Sequence, residues 1–178
     1  MSKESLSNIT EVASGVYFRF GDIGRGQSNG GYIICDDYVV AIEAPNLEAT
    51  TEMFDEVKKL TDKPIKFLVI THAHWDHDLG VDGFAEKGVI VLCHENARKR
   101  YAEAGKKGTF IGVTDRIALN NGKTIELFTS GIAHSITDIF TYLPDEGIVY
   151  TGDSVVSMTA TLWMGESDIW NWIDTLKK

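Results

Sequence analysis

Cysteine, cations and long apolar runs are all scarce in this chain. Cys35 and Cys93 are its only two cysteines, too few for a disulfide framework. Each sits in an apolar run, residues 32–35 and 89–93, and reads as a small buried hydrophobe. No apolar stretch approaches the ~20 residues that cross a bilayer as a helix. The first ten residues are polar and contain no signal-peptide core, so a cytoplasmic protein is expected. Lys and Arg number 17 against 26 Asp and Glu, a formal charge of −9. Binding to nucleic-acid phosphates or to an anionic membrane needs clustered cations, and both are disfavoured. No repeat and no low-complexity segment stands out.

What is present is an ordinary globular composition, 43% hydrophobic and 24% charged over 178 residues. That length fits one domain, residues 1–178, large enough to bury a core. β-formers cluster at residues 15–20, 32–35 and 38–42, with a Gly/Asn-rich turn over 21–31 and the turn pair Asp36-Asp37, as in an antiparallel meander. Residues 47–60 carry Met53, Phe54, Val57 and Leu60 at the spacing of one helix face. Residues 67–70 form a short, wholly apolar strand, the pattern of a strand covered on both faces. A second strand–helix unit follows at 89–93 and 95–104. Residues 105–114 are glycine-rich and read as a loop. Strands are expected at 117–119, 124–128, 139–143 and 148–150. The tail, 168–178, has Ile169, Trp172, Ile173 and Leu176 at helical spacing. Strands mixed with helices make the class α/β or α+β, with helices covering sheet faces.

The chemistry concentrates in Thr71-His72-Ala73-His74-Trp75-Asp76-His77. Three of the five histidines and one aspartate fall within six residues, directly after an apolar strand, which is where α/β sheets place ligand sites. Neutral imidazole and carboxylate are zinc ligands. His72 and His74, two apart, point the same way from an extended segment. Asp76 and His77 follow where the chain turns, and face a second position. Two metal ions ~3.5–4 Å apart, sharing a nucleophilic hydroxide, are a known hydrolytic device. His134 lies beyond the strand at 124–128, and Asp153 closes Tyr150-Thr151-Gly152-Asp153 beyond the strand at 148–150. Three strand ends converging in this way would assemble one site.

His-Ala-His-Trp-Asp-His at 72–77 resembles the HxHxDH signature of the metallo-β-lactamase-fold superfamily. Residues 131–135 resemble the segment that bears the family's third histidine, and Tyr150-Thr-Gly-Asp153 resembles its bridging-aspartate motif. The resemblance runs from Gly15 through Val40-Ala-Ile-Glu43, where relatives commonly carry Asp at the strand end, to the tail helix. It implies an αββα sandwich holding two metals, usually zinc, with iron or manganese as alternatives. By that resemblance His72, His74 and His134 bind the first metal, Asp76 and His77 bind the second, and Asp153 bridges both. A metal-bound hydroxide then attacks an ester, thioester, lactone or lactam of a small-molecule substrate, with Asp76 as the catalytic residue that orients it. Trp75 and Trp163 are expected to wall the pocket.

Three departures from the family pattern matter. Relatives usually add a strand after the tail helix and a last histidine on the second metal, whereas this sequence ends at Lys178 with all five histidines placed. The expectation is a C-terminally incomplete sandwich whose second site is one ligand short. Trp170 and Trp172 then lie in the core or on an exposed interface, with the tail helix free to form a homodimer. His94 is expected to be structural or to support the site from behind. The usual glycine pair after the first motif is Asp78-Leu79-Gly80 here, with Asp78 supporting a ligand histidine or capping a helix. Asp153 stands where the zinc β-lactamases of one main class carry cysteine. Two other readings compete: an iron-dependent oxidoreductase on the same scaffold, and a metal-binding chain with little or no turnover.

Overall fold

The larger of two sheets is laid down in chain order. The computed structural model describes residues 8–129, 131–156 and 163–177; the first seven residues of the polar N-terminus and the end of the expected tail helix at Lys178 lie outside them. The seven strands are β1 (Ile9–Ala13), β2 (Val16–Arg19), β3 (Gly30–Ile34), β4 (Val39–Ile42), β5 (Ile65–Val69), β6 (Ile90–His94) and β7 (Phe110–Val113), neighbours in that order. From β1 to β4 the pairing is antiparallel, and from β4 to β7 it is parallel. Parallel pairing needs long crossovers. These are supplied by α1 (Leu47–Leu60), by α2 (Trp75–Asp78) with α3 (Val81–Ala85), and by α4 (Glu95–Glu103). The second sheet is antiparallel, β11 (Ile148–Tyr150), β10 (Phe140–Leu143), β9 (Thr124–Phe128) and β8 (Arg116–Asn120) side by side.

Period-two alternation builds two cores from the same strands. Tyr32, Val39, Ala41, Val91 and Cys93 face the helices, where Met53, Val57, Phe84 and Tyr101 cover them. Ile33, Val40, Ile42 and Leu92 face the second sheet and pack on Ile125, Leu127 and Leu143. The layers are thus helix, sheet, sheet, with α5 (Ile169–Thr175) on the far side against the loops that leave β9 and β11. This is the expected αββα sandwich. Both cysteines are buried and free. Burial pushes the Cys35 thiol up to about 11 and the Cys93 thiol up to about 12, so neither is a thiolate at neutral pH.

Two strands were not expected. β1 has a mostly exposed face, and β7 lies inside the glycine-rich stretch read as a loop. They are the two edges of the larger sheet. An edge strand is ordered by its single neighbour and need not show the alternation that betrays inner strands.

α1 begins and ends where its sequence dictates. The Asn46 side chain accepts from Ala49 N at 2.8 Å, Glu48 sits in the first turn, and Lys58 and Lys59 sit in the last. Among the described residues, no helix is long and apolar enough to cross a membrane.

Candidate metal centre

The chain bends at Thr71 and His72 after β5, is extended at His74 and then turns into α2. Thr71 O accepts from Ile139 N at 2.8 Å, and Ala73 N donates to Thr137 Oγ1 at 2.9 Å, tying this segment to the entry of β10. His74 is still extended, with φ −101° and ψ 152°, and its carbonyl accepts from His77 N at 2.9 Å and Asp78 N at 3.0 Å. His74 therefore projects from extended backbone and His72 from the bend after β5, while Asp76 and His77 project from the first turn of α2.

Two other strand exits close on the same place. Asp153 sits in a tight 3-10 turn, Gly152–Ser154, directly after β11. His134 follows β9, and its backbone is held from both sides. Ser167 Oγ donates to His134 O at 2.6 Å, and Asp168 N donates to Ala133 O at 3.1 Å. On its other side Ser135 N and Ser135 Oγ each donate to the buried Asp138 carboxylate at 2.8 Å. Trp172 of α5 donates from Nε1 to Ser154 O at 2.9 Å, so the tail helix latches the Asp153 turn as well.

The donor atoms fall into two groups, His72/His74/His134 and His72/His77/Asp153, each within 4.8 Å. His134 Nε2 lies 3.2 Å from His74 Nδ1, and His77 Nε2 lies 3.4 Å from Asp153 Oδ1. Two donors on one tetrahedral zinc at ~2.0–2.1 Å are themselves about 3.3–3.4 Å apart. The spacings fit one ion per group. Asp153 also reaches the first group, its Oδ2 3.7 Å from His134 Nε2. Asp76 stands outside both groups, with Oδ2 3.6 Å from His77 Nε2. Among the described residues His72 Nε2 is buried with no hydrogen-bond partner, an arrangement that a cation would relieve.

Protonation suits the same purpose. Burial lowers the pKa of His72 well below the ordinary histidine value and lowers those of His74 and His134, so these imidazoles are neutral lone-pair donors at pH 7. His77 behaves oppositely. Burial disfavours its charge, but the carboxylates of Glu43 and Asp153 outweigh it and push the pKa up to about 10. The surrounding carboxylates thus attract positive charge, and in the metal-free chain His77 supplies it.

Glu43 is the residue behind His77. It has φ 69°, the only non-glycine with positive φ among the described residues, a conformation costing about 1–2 kcal/mol. Its buried carboxylate accepts from Thr71 N at 3.3 Å and from Thr71 Oγ1, and lies 3.2 Å from His77 Nδ1. Sequence reading marked this position only as a strand end.

The opposed shifts predict a pH optimum for the metal-free protein. Histidines with lowered pKa contribute stability above their unfolded value near 6.5, lost as pH falls. His77, raised to about 10, contributes stability that is complete below 6.5 and is lost as pH rises towards 10. Thermal unfolding in chelator should therefore peak near neutrality and decline on both sides, with about 2–4 °C for each kcal/mol lost. His77→Gln should remove the alkaline decline; a decline unchanged in that variant would contradict the assignment.

The remaining expected residues divide. Trp163 meets the His74 ring edge-on at 5.0 Å and is largely exposed. Trp75 is 65% exposed and its indole lies over Gly26, which places the 21–31 turn beside the metal motif. Ser28 N donates to Asp76 O at 3.3 Å across the same junction. His94 caps α4, its Nδ1 accepting from Asn96 N at 3.0 Å, and joins neither donor group. Asp78 neither supports a ligand nor caps a helix. One step further round α2 than His77, its Oδ2 accepts from Tyr101 of α4 at 2.8 Å. Trp170 is exposed whereas Trp172 is turned inward to Ser154.

A four-layer α/β sandwich with histidine and carboxylate donors gathered at its strand ends defines a class. A model of the Metallo-beta-lactamase superfamily matches residues 45–178, and the chain belongs to that superfamily. Among solved structures, a metallo-beta-lactamase from Pontibacter korlensis superposes with TM-score 0.83 at 23% identity, over 95% of this chain and 84% of that one. The DIM-1 metallo-beta-lactamase gives TM-score 0.81 at 20% identity, over 95% of this chain and 80% of its own. Identities this low show the shared fold.

Proposed function

We propose that this chain is a metal-dependent hydrolase that opens an ester, thioester, lactone or lactam of a small molecule. The observation that carries the reading is the pair of donor groups sharing His72, spaced for one ion each. His72, His74 and His134 would hold one divalent cation, and His77 and Asp153, beside His72, a second. The all-imidazole and carboxylate donor set suits zinc first, with iron and manganese also accepted. A bound divalent cation supplies a water that ionises near neutral pH and polarises a substrate oxygen. The chain's own groups do the rest. Asp76, outside both donor groups, keeps a carboxylate free at the site's edge to orient the attacking water and take its proton. Glu43 holds His77 from behind. The exposed rings of Trp75 and Trp163 offer apolar walls to the acyl portion of a substrate.

The test is a panel of one ester, one thioester, one lactone and one β-lactam, assayed with metal-loaded chain and again after chelation. Hydrolysis of at least one class, abolished by chelator and restored by zinc, is the expected result. Two ions bound per chain with no class hydrolysed, or turnover that survives complete metal removal, would overturn the proposal.

A further inference from the structure

Two buried side-chain atoms without hydrogen-bond partners face each other just outside the first donor group. His74 Nε2 and Glu166 Oε2 are 3.9 Å apart, and among the described residues each is otherwise unsatisfied. The His74 ring is divided in use. Its Nδ1 lies 3.2 Å from His134 Nε2, inside the donor group, so Nε2 is the nitrogen turned away. A neutral imidazole carries one proton. For Nδ1 to offer a lone pair, the proton must sit on Nε2, and that requires an acceptor there.

Glu166 is placed to be that acceptor. Its other oxygen, Oε1, accepts from Arg100 Nη2 at 2.7 Å, a contact from α4 to a loop 66 residues away. Arg100 thereby turns one carboxylate oxygen outward and leaves the other towards the imidazole. The loop fits around the ring, with Trp163 edge-on against it and Ser167 Oγ donating to His134 O at 2.6 Å. Closing 3.9 Å to a hydrogen bond needs less than 1 Å of movement in the Glu166 side chain.

We propose that Glu166, braced by Arg100, is the positioning residue that keeps the proton of His74 on Nε2 and presents Nδ1 to the first metal. The proposal rests on the reading that His72, His74 and His134 hold a cation. It also explains the basic residue Arg100, which the hydrolytic chemistry does not otherwise use.

The experiment compares wild type, Glu166→Ala, Glu166→Gln and Arg100→Ala in two measurements. The first is zinc affinity by competition with a chromophoric chelator. Glu166→Ala should weaken the first zinc by about 10–100-fold, with Glu166→Gln and Arg100→Ala in between. The second is the tautomer of His74 by nitrogen-15 NMR of the metal-free protein. Wild type should show the proton on Nε2, Glu166→Ala a shift of population towards Nδ1, and Glu166→Gln a partial return. A loop that merely packed against the site would leave the tautomer unchanged. Wild-type tautomer in a folded Glu166→Ala overturns the proposal. So does lost zinc with an unmoved tautomer, which would make Glu166 a direct ligand. Failure of wild type to bind zinc would count against the metal-centre reading, and the tautomer measurement would still decide the role of Glu166. Should Glu166→Ala fail to fold, Glu166→Gln carries the same comparison.

Discussion

His72→Ala is expected to strip the first metal position of its ion. His72 is common to both donor groups, and its Nε2 is a buried atom with no hydrogen-bond partner among the described residues. Structural zinc sites bind with about 10–16 kcal/mol over four ligands, so one imidazole is worth ~3 kcal/mol, or about two orders of magnitude in affinity. A neutral imidazole nitrogen has one lone pair, so that loss falls on the ion held with His74 and His134, and the neighbouring position keeps His77 and Asp153. The effect should match that of His134→Ala, which removes an imidazole from the same group, and His94→Ala should leave metal content unchanged, since His94 caps α4. Elemental analysis of protein dialysed against a weak chelator checks the order. Equal retention in His72→Ala and His94→Ala would remove His72 from the centre. Thermal unfolding of the metal-free variants keeps loss of binding separate from loss of fold.

Much of this centre is written in local spacing, and the part that is not is instructive. His72, His74, Asp76 and His77 were legible because one short segment changes from extended chain to helix within its own length. The inner strands were legible because each must feed two cores on alternate residues. α1 was legible because Asn46, the apolar spacing and the terminal lysines agree. The edges β1 and β7 were not, since each is ordered by a single neighbour and neither carries a clear alternation. Glu166 was invisible for another reason: its role depends on Arg100 and His74, both far away in sequence, and nothing in Gly165-Glu166-Ser167 announces it. Glu43 was visible as the end of a strand, but its strained backbone and its contact with His77 are products of tertiary packing. The tail helix is a similar case. Its apolar spacing was plain, whereas its work, fixing the His134 loop and the Asp153 turn, is carried by Ser167, Asp168 and Trp172, whose partners lie beyond the helix.

Gly152→Ala is expected to damage the centre without altering a donor atom. Gly152 has φ 53°, and a Cβ there would collide with Thr71 Oγ1, lie 2.9 Å from Thr71 Cβ and approach His72 Nδ1 to 3.3 Å. Thr71 cannot step aside. Its hydroxyl donates to Glu43, its carbonyl accepts from Ile139 N, and its neighbour is His72. The segment carrying Asp153 must therefore retreat from the end of β5. Left-handed backbone costs an alanine about 1–2 kcal/mol, and overpacking adds about 1–3 kcal/mol. Together these lower the melting temperature by roughly 4–20 °C. Gly147→Ala is the control, since Gly147 also has positive φ, 66°, but a Cβ there meets nothing within 4 Å. It should show the backbone cost alone, about 1–2 kcal/mol, and keep its metal. The difference between the two variants measures how tightly the strand ends are pressed together around the centre. If both lost the same stability and both kept their metal, the close passage of Gly152 over Thr71 and His72 would have no part in placing Asp153.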